Sequence, residues 1–308
     1  MQNDFYPMTA AELMDRSIYV YKKSFWPQLA FAAILGIIFF MAFMVASLVA
    51  GSAILYLVAI SPADSAVIGI LLIVGAILLP VYLFWSAAAS AGHILLSRQA
   101  FYGHKVRLDV GQVPRVAVRV FFTLIAQIIV ALPFAGAIAL LIYTLVEGAG
   151  SLHNAWLAVI LGFVLVLVAA YLLLAHLFSL AVAVSVFEQK TFFSALFRSW
   201  DLIKGEYWKL LGMRILWFLV STVLAYSIQG GLSLVSMLVT LLMEMLSFSA
   251  VITTSVTLIT AMITSLLSFA VAFAAMPLSG VFHATLYFNQ RIKKEGLDIE
   301  ISLGRLSL

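Results

Sequence analysis

The chain contains no cysteine and few charged residues. Without cysteine it can form neither disulfides nor cysteine-ligated zinc sites, and it has no cysteine nucleophile, although the redox compartment stays undetermined. Only 10% of its 308 residues are charged and 65% are hydrophobic, whereas a soluble domain carries about 25% charged and about 45–50% apolar residues. A soluble fold could not bury so much apolar surface, so lipid must be the solvent for most of the chain.

Sequence signatures of enzymes are missing as well. The sequence has no HExxH, no GxSxG, no GxxxxGK[ST] and no GxGxxG opening a helix. Carboxylates are also too sparse in the apolar stretches for a paired-carboxylate site. We therefore predict a protein that is not an enzyme and that holds no cofactor and no metal. The N-terminus, with no basic residue before Arg16, does not fit a secretory signal.

Six apolar stretches are each longer than the ~20 residues that cross a bilayer as a helix. They cover roughly 27–58, 66–97, 118–146, 155–187, 210–246 and 251–289. The predicted fold is an all-α polytopic membrane helix bundle over 1–308, with six long transmembrane helices. They form three hairpins over 27–97, 118–187 and 210–289, followed by a tail over 290–308. Gly230–Gly231 or Pro277 could break the last hairpin, but two long, bent helices are the preferred prediction.

Basic residues are confined to one side of this topology. All 17 Lys and Arg fall before the first span, in the connections after the second and fourth spans and their flanks, or from Arg291 onward. With six spans these regions share one face, which the positive-inside rule assigns to the cytoplasm. Both termini are therefore predicted to be cytoplasmic.

Two related segments precede spans on that side. Residues 16–26 (RSIYVYKKSFW) and 198–208 (RSWDLIKGEYW) share Arg-Ser, a later Lys and a final aromatic-Trp pair, which indicates an internal repeat. We predict interfacial helices over 9–26 and 190–208, the first opened by a capping box. These helices either only anchor the spans or also dock a partner or anionic lipid. The predicted contact residues are Arg16, Lys22, Arg198 and Lys204.

The stretch VSVFEQKTFFSALFRSWDLIKGEYWKLLG resembles a family of bacterial six-span proteins named glycerophosphoryl diester phosphodiesterase membrane domain-like. The family pattern maps to Glu188, Ala-Leu at 195–196, Arg-Ser at 198–199, Leu202 and Lys-Gly at 204–205. Both chain ends look similar as well. The resemblance implies a membrane region in a bacterial inner membrane. It does not imply phosphodiesterase activity, because no catalytic domain is expected after the last span.

A few polar residues interrupt the spans. They form a candidate intramembrane polar site of Gln127, His176, Gln229 and His283. Hydrogen bonding between packed helices is the first interpretation, and a polar pathway or a shared site that includes His93 is the alternative. Arg214 is expected to extend its side chain toward the cytoplasmic interface.

Two functions remain open from the sequence. The first is a non-enzymatic subunit or scaffold that acts through cytoplasmic-face contacts with a protein partner or anionic lipid. The alternative is a transporter or exporter of an amphipathic or lipid-like substrate, with a cavity lined by residues of the candidate polar site. Membrane lipids are predicted partners and a homo-oligomer is plausible. Nucleic acid is not predicted, because the basic segments are short and lie against the membrane.

Overall fold

The protein folds as a bundle of long helices. The computed structural model describes residues 6–60, 63–107, 111–148, 154–247, 249–297 and 299. Every regular element in these ranges is a helix, and six of the helices are long and apolar enough to cross a membrane. This confirms the predicted all-α polytopic fold. The helices are α1 (Ala10–Ile60), α2 (Ala63–Phe101), α3 (Val113–Gly148), α4 (Asn154–Leu177), α5 (Ala181–Phe187), α6 (Phe192–Ile203), α7 (Tyr207–Met245) and α8 (Ala250–Glu295).

The long helices pack as three sequential hairpins: α1 with α2, α3 with α4, and α7 with α8. Helix α8 also packs against α1 and α2, which brings the first and last hairpins together. The short helices α5 and α6 lie against α3 and α8. Both α7 and α8 are unbroken, with Gly230–Gly231 and Pro277 inside them. Most of the predicted tail over 290–308 lies outside the described residues.

Helix α1 begins as predicted but continues further than predicted. The Thr9 amide donates to Glu12 at 2.8 Å and the Glu12 amide donates to the Thr9 hydroxyl at 3.4 Å, which is the expected capping box. The helix then runs through Pro27 without a break, so 9–26 is not a separate helix. A proline removes one helical hydrogen bond. Here Gln28, the next residue, is fully buried and bonded to α2, and this packing holds the helix together.

The packed core lies at one end of the bundle. We call this end, formed by the start of α1, the end of α2, the start of α3, α5, α6, the start of α7 and the end of α8, the basic end. Most of the buried apolar side chains are here, among them Leu13, Val20, Leu196, Leu210 and Tyr287. The described Lys and Arg residues lie here too.

The opposite halves of the helices bury very little. The most apolar 18-residue windows of α4 and α8 contain no buried residue. This division has a physical reason: apolar side chains exposed to lipid gain little by packing together, whereas those near water gain about 25 cal/mol per Å² buried. At 1.5 Å per residue α1 is about 76 Å long, far more than a bilayer requires. The packed core therefore occupies only part of the length of these helices.

The two repeated segments share a burial pattern. Ser17 and Ser199 are fully buried, while Trp26 and Trp208 are 75% and 73% exposed. The segments differ where Gly205, at φ +96°, stands in the position of Lys23. Glycine adopts this left-handed conformation without strain, so the second segment turns and ends α6, whereas the first continues as helix. The duplication itself stays a prediction.

Candidate functional site

The predicted polar site does not form one cluster. Gln127 donates to the Phe178 carbonyl at 2.9 Å, where it ties α3 to the break between α4 and α5. His176 is 2% exposed and contacts α7. Gln229 is exposed and lies further along α7, while His283 on α8 lines two cavities. Gln127 therefore has the packing role that was the first interpretation. His176 is bonded to Arg214, and His283 lines a cavity that Arg214 also lines, whereas Gln229 lies further along α7.

Arg214 on α7 is held by His176 on α4. The guanidinium Nη1 donates to His176 Nδ1 at 2.9 Å, and His176 Nε2 lies 3.3 Å from the Tyr207 carbonyl. Since a guanidinium can only donate and a carbonyl can only accept, His176 is the neutral Nε2–H tautomer. The Arg214 side chain was expected to extend to the interface. It contacts His176 and lines a cleft between α7 and α8, and its position at the interface stays a prediction.

His93 on α2 is oriented by a second network. Its Nδ1 lies 2.7 Å from Gln28 Oε1, and the Gln28 amide nitrogen donates to Ser24 and Ser97 at 3.1 and 3.2 Å. These partners assign the proton to Nδ1 and leave Nε2 as an acceptor. Helix α8 lies close to α2 at this point. A Cβ added at Gly280 would lie only 2.9 Å from the His93 Cβ.

A cavity of about 250 Å³ lies between α2, α5 and α8. We call it the His93 cavity. Three of its lining residues have a buried polar atom with no hydrogen-bond partner among the described residues: His93 Nε2, Trp85 Nε1 and Ser179 Oγ. Buried polar atoms are normally paired, and an unmade bond costs about 1–3 kcal/mol. The cavity therefore suits a polar guest that both donates and accepts hydrogen bonds.

A second cleft of about 390 Å³ opens between α7 and α8. We call it the Arg214 cleft. Its polar lining includes Arg214, Ser279 and His283 together with hydroxyl groups of α7. Its apolar walls include Trp217 and Phe282, whose rings stack at 4.8 Å. Ser279 and His283 also line the His93 cavity, so the two spaces meet at α8.

A third cleft of about 540 Å³ lies further along the same two helices. We call it the hydroxyl cleft, because polar side chains dominate its lining: Gln229, Ser233 and Ser236 on α7, and Thr264, Ser265 and Ser268 on α8. The Ser233, Thr264 and Ser268 hydroxyls each donate to the carbonyl four residues earlier. Their oxygens remain able to accept hydrogen bonds from a guest.

The Arg214 cleft and the hydroxyl cleft lie on the same faces of α7 and α8. On α7 the lining positions continue at helical spacing from Arg214 through Ser221 and Ala225 to Gln229 and Ser236. On α8 they continue from 283 back through 279, 275, 272 and 268 to 264. We call this combined path the α7–α8 seam. It joins the packed basic end to the open halves of the helices.

Arg198, a predicted contact residue, is bound within the protein. Its Nε donates to both Glu188 oxygens at 3.0 and 2.8 Å, and its Nη2 donates to Glu295. Glu188 also accepts from the Tyr287 hydroxyl at 3.0 Å. Burial alone would raise the pKa of the Glu188 carboxyl, but the hydrogen bonds from Arg198 and Tyr287 and the charges of Arg198 and Lys190 outweigh it and lower the pKa. This group, which we call the clasp, joins α5, α6 and α8.

The other predicted contact residues differ in exposure. Arg16 is partly buried and donates to the Phe101 carbonyl at 3.0 Å, with its guanidinium over the Tyr19 and Phe101 rings. Lys22 is exposed, and Lys204 is exposed and pairs with Asp201 at 2.6 Å. Lys22 and Lys204 are therefore the exposed members of the predicted set, and the contact role of all four residues stays a prediction.

Sequence reasoning underrated Arg214, Trp85 and Ser179. One signal for Arg214 was present, since no acidic residue occurs between it and Glu244. Nothing local marks Trp85 or Ser179, because their role depends on which helices meet.

Comparison with protein-family models, curated proteins and solved structures finds no match for this chain. The family resemblance therefore stays a prediction.

Proposed function

We propose that this integral membrane protein moves an amphipathic, lipid-like molecule along the α7–α8 seam. The supporting observation is the seam itself, a path lined by Arg214, His283, Gln229 and hydroxyl groups between helices whose far halves face lipid. A polar head group would follow the seam while its acyl chains stay in the surrounding lipid. No enzyme activity, cofactor or metal enters this proposal.

The proposal includes an orientation. Helix α4 has 24 residues, about 36 Å, and is the shortest of the six long helices in the described part of the chain, with His176 in its last turn. Because this length only just exceeds the hydrocarbon core, His176 and Arg214 would lie near the membrane boundary at the basic end. The positive-inside rule supports a cytoplasmic basic end in a bacterial inner membrane. Head groups would thus enter the seam from the cytoplasmic leaflet.

Lipid movement between leaflets tests this function. Purified protein is reconstituted into vesicles that contain a fluorescent phospholipid, and an impermeant reductant reports how fast lipid from the inner leaflet becomes accessible. We expect faster exchange than in protein-free vesicles. The double variant Gln229→Leu and Ser268→Leu, which removes polar lining, should slow exchange, whereas Ser255→Leu, at an exposed position outside the cleft, should not. Exchange no faster than in protein-free vesicles would reject the proposal.

A scaffold at the basic end is the second candidate, favoured by the exposed aromatic face of α6. Phe197 is 68% and Trp200 is 43% exposed, and the neighbouring Lys204 is also exposed. Such a face suits the head-group boundary or an apolar partner surface. A photo-reactive amino acid at position 197 distinguishes a partner surface from a membrane anchor. Cross-links to another protein would support a scaffold, and cross-links to lipid alone would support an anchor.

A further inference from the structure

We infer that the Arg214 cleft is a binding site for the phosphate of an anionic lipid. This inference rests on the proposed function and adds the chemical class of the head group. It starts from a charge imbalance. No carboxylate among the described residues lies within 4 Å of the Arg214 guanidinium, and none lines the cleft.

Arg214 retains hydrogen-bonding capacity for a ligand. Its bond to His176 uses one of the five N–H groups of the guanidinium. A partly buried cation without an anion is costly, and a phosphate in the cleft would supply both the missing charge and acceptors that match the guanidinium fork. His283 lines the same cleft, with Nδ1 bonded to the Ser279 carbonyl at 2.8 Å. Its Nε2 is thereby an acceptor in the neutral ring, and it donates to a phosphate oxygen only after it takes up a proton.

The walls of the cleft distinguish a lipid from a small anion. Trp217, Phe218 and Phe282 line it beside the polar groups, and an apolar chain would lie against them. The absence of a lining carboxylate among the described residues also means that a choline or ethanolamine cation would meet no opposite charge. The site therefore favours a lipid with net negative charge over a zwitterionic one.

His176 is a positioning residue for this site. It accepts from Arg214 Nη1 and donates to the Tyr207 carbonyl, which fixes the guanidinium relative to the cleft. Asparagine places an oxygen acceptor near the position of the histidine Nδ1, whereas leucine has none. We expect His176→Asn to retain anionic-lipid affinity and His176→Leu to lose it.

Direct binding measurements test the site. Full-length protein in a neutral detergent is titrated with short-chain phosphatidylglycerol, phosphatidylcholine, diacylglycerol and inorganic phosphate. Phosphatidylglycerol should bind about tenfold tighter than phosphatidylcholine, the equivalent of one charged hydrogen bond. Arg214→Gln should abolish this preference and leave diacylglycerol binding unchanged. Lys209→Gln, which removes an exposed charge from the same helix, should have no effect.

Three results would overturn the inference. One is an unchanged preference for phosphatidylglycerol in Arg214→Gln, and another is inorganic phosphate binding as tightly as the lipid. If Arg214→Gln does not fold, Arg214→Lys and His283→Gln are measured in its place. The third result is then an affinity for phosphatidylglycerol that is unchanged in both of these variants. Binding that depends on Arg214 but is accompanied by no lipid exchange in vesicles would reject the proposed function and leave this site intact.

Discussion

Replacing Arg198 by alanine should destabilise the protein, because in the clasp its side chain joins α6 to Glu188 and to Glu295 on α8. The Arg198 side chain is 22% exposed, and its partners Glu188 and Glu295 are 14% and 25% exposed. Hydrogen bonds to charged groups contribute about 1.5–3 kcal/mol each, and the partial exposure places these nearer the lower end. Losing the contacts to both carboxylates should therefore cost about 3 kcal/mol.

Thermal unfolding in detergent, followed by tryptophan fluorescence, measures this cost. About 3 kcal/mol corresponds to a fall in Tm of roughly 5 °C for a chain of this size. Lys204→Ala is the matched control, because its pair with Asp201 has side chains 62% and 50% exposed and should contribute almost nothing. In a double-mutant cycle, Glu188→Ala should add little once Arg198 is gone. Equal Tm values for the Arg198 and Lys204 variants would refute the structural role and favour a docking role for Arg198.

Two further predictions concern the clasp and the contact between α2 and α8. Because the pKa of Glu188 is lowered from 4.5 in the folded protein, the carboxylate stabilises the fold above about pH 4.5, and this contribution is lost as the pH falls through the folded pKa. The stability difference between wild type and Glu188→Gln should therefore shrink below about pH 4.5, and a constant difference in denaturation experiments would contradict it. Gly280→Ala should lower Tm, since its Cβ would lie 2.9 Å from His93, with a cost of about 1–3 kcal/mol. Gly230→Ala, with no atom within 4 Å, should be neutral or stabilising by up to about 1 kcal/mol, and equal effects of the two alanines would contradict the close approach of the helices.

The fold was largely predictable because the signals that determine it are local. Apolar length alone identified the six spans, and the Thr9–Glu12 spacing identified the start of α1. The predicted helix boundary at Pro27 was wrong, because it too was based only on the local sequence. The bonds that hold α1 through this proline come from Gln28 to residues on α2, and sequence proximity says nothing about them.

The site was much less predictable because it depends on how the helices meet. Arg198 looked like a docking residue, and only the fold shows that Glu188 and Glu295 surround it. Conversely, Arg214 looked like an ordinary interfacial cation, although His176 holds it against the cleft. A pattern along one helix reveals which residues share a face. It does not reveal which other helix that face contacts.

Blocking the α7–α8 seam tests the central claim most directly. The chain has no cysteine, so a single Ser236→Cys variant can be labelled with a bulky maleimide inside the hydroxyl cleft, and Val166→Cys, at a position 62% exposed on α4, serves as the control. Lipid exchange in reconstituted vesicles is measured before and after labelling. Our account predicts that the label at 236 stops most of the exchange and that the label at 166 leaves it unchanged. Exchange that persists with the label at 236 would contradict it.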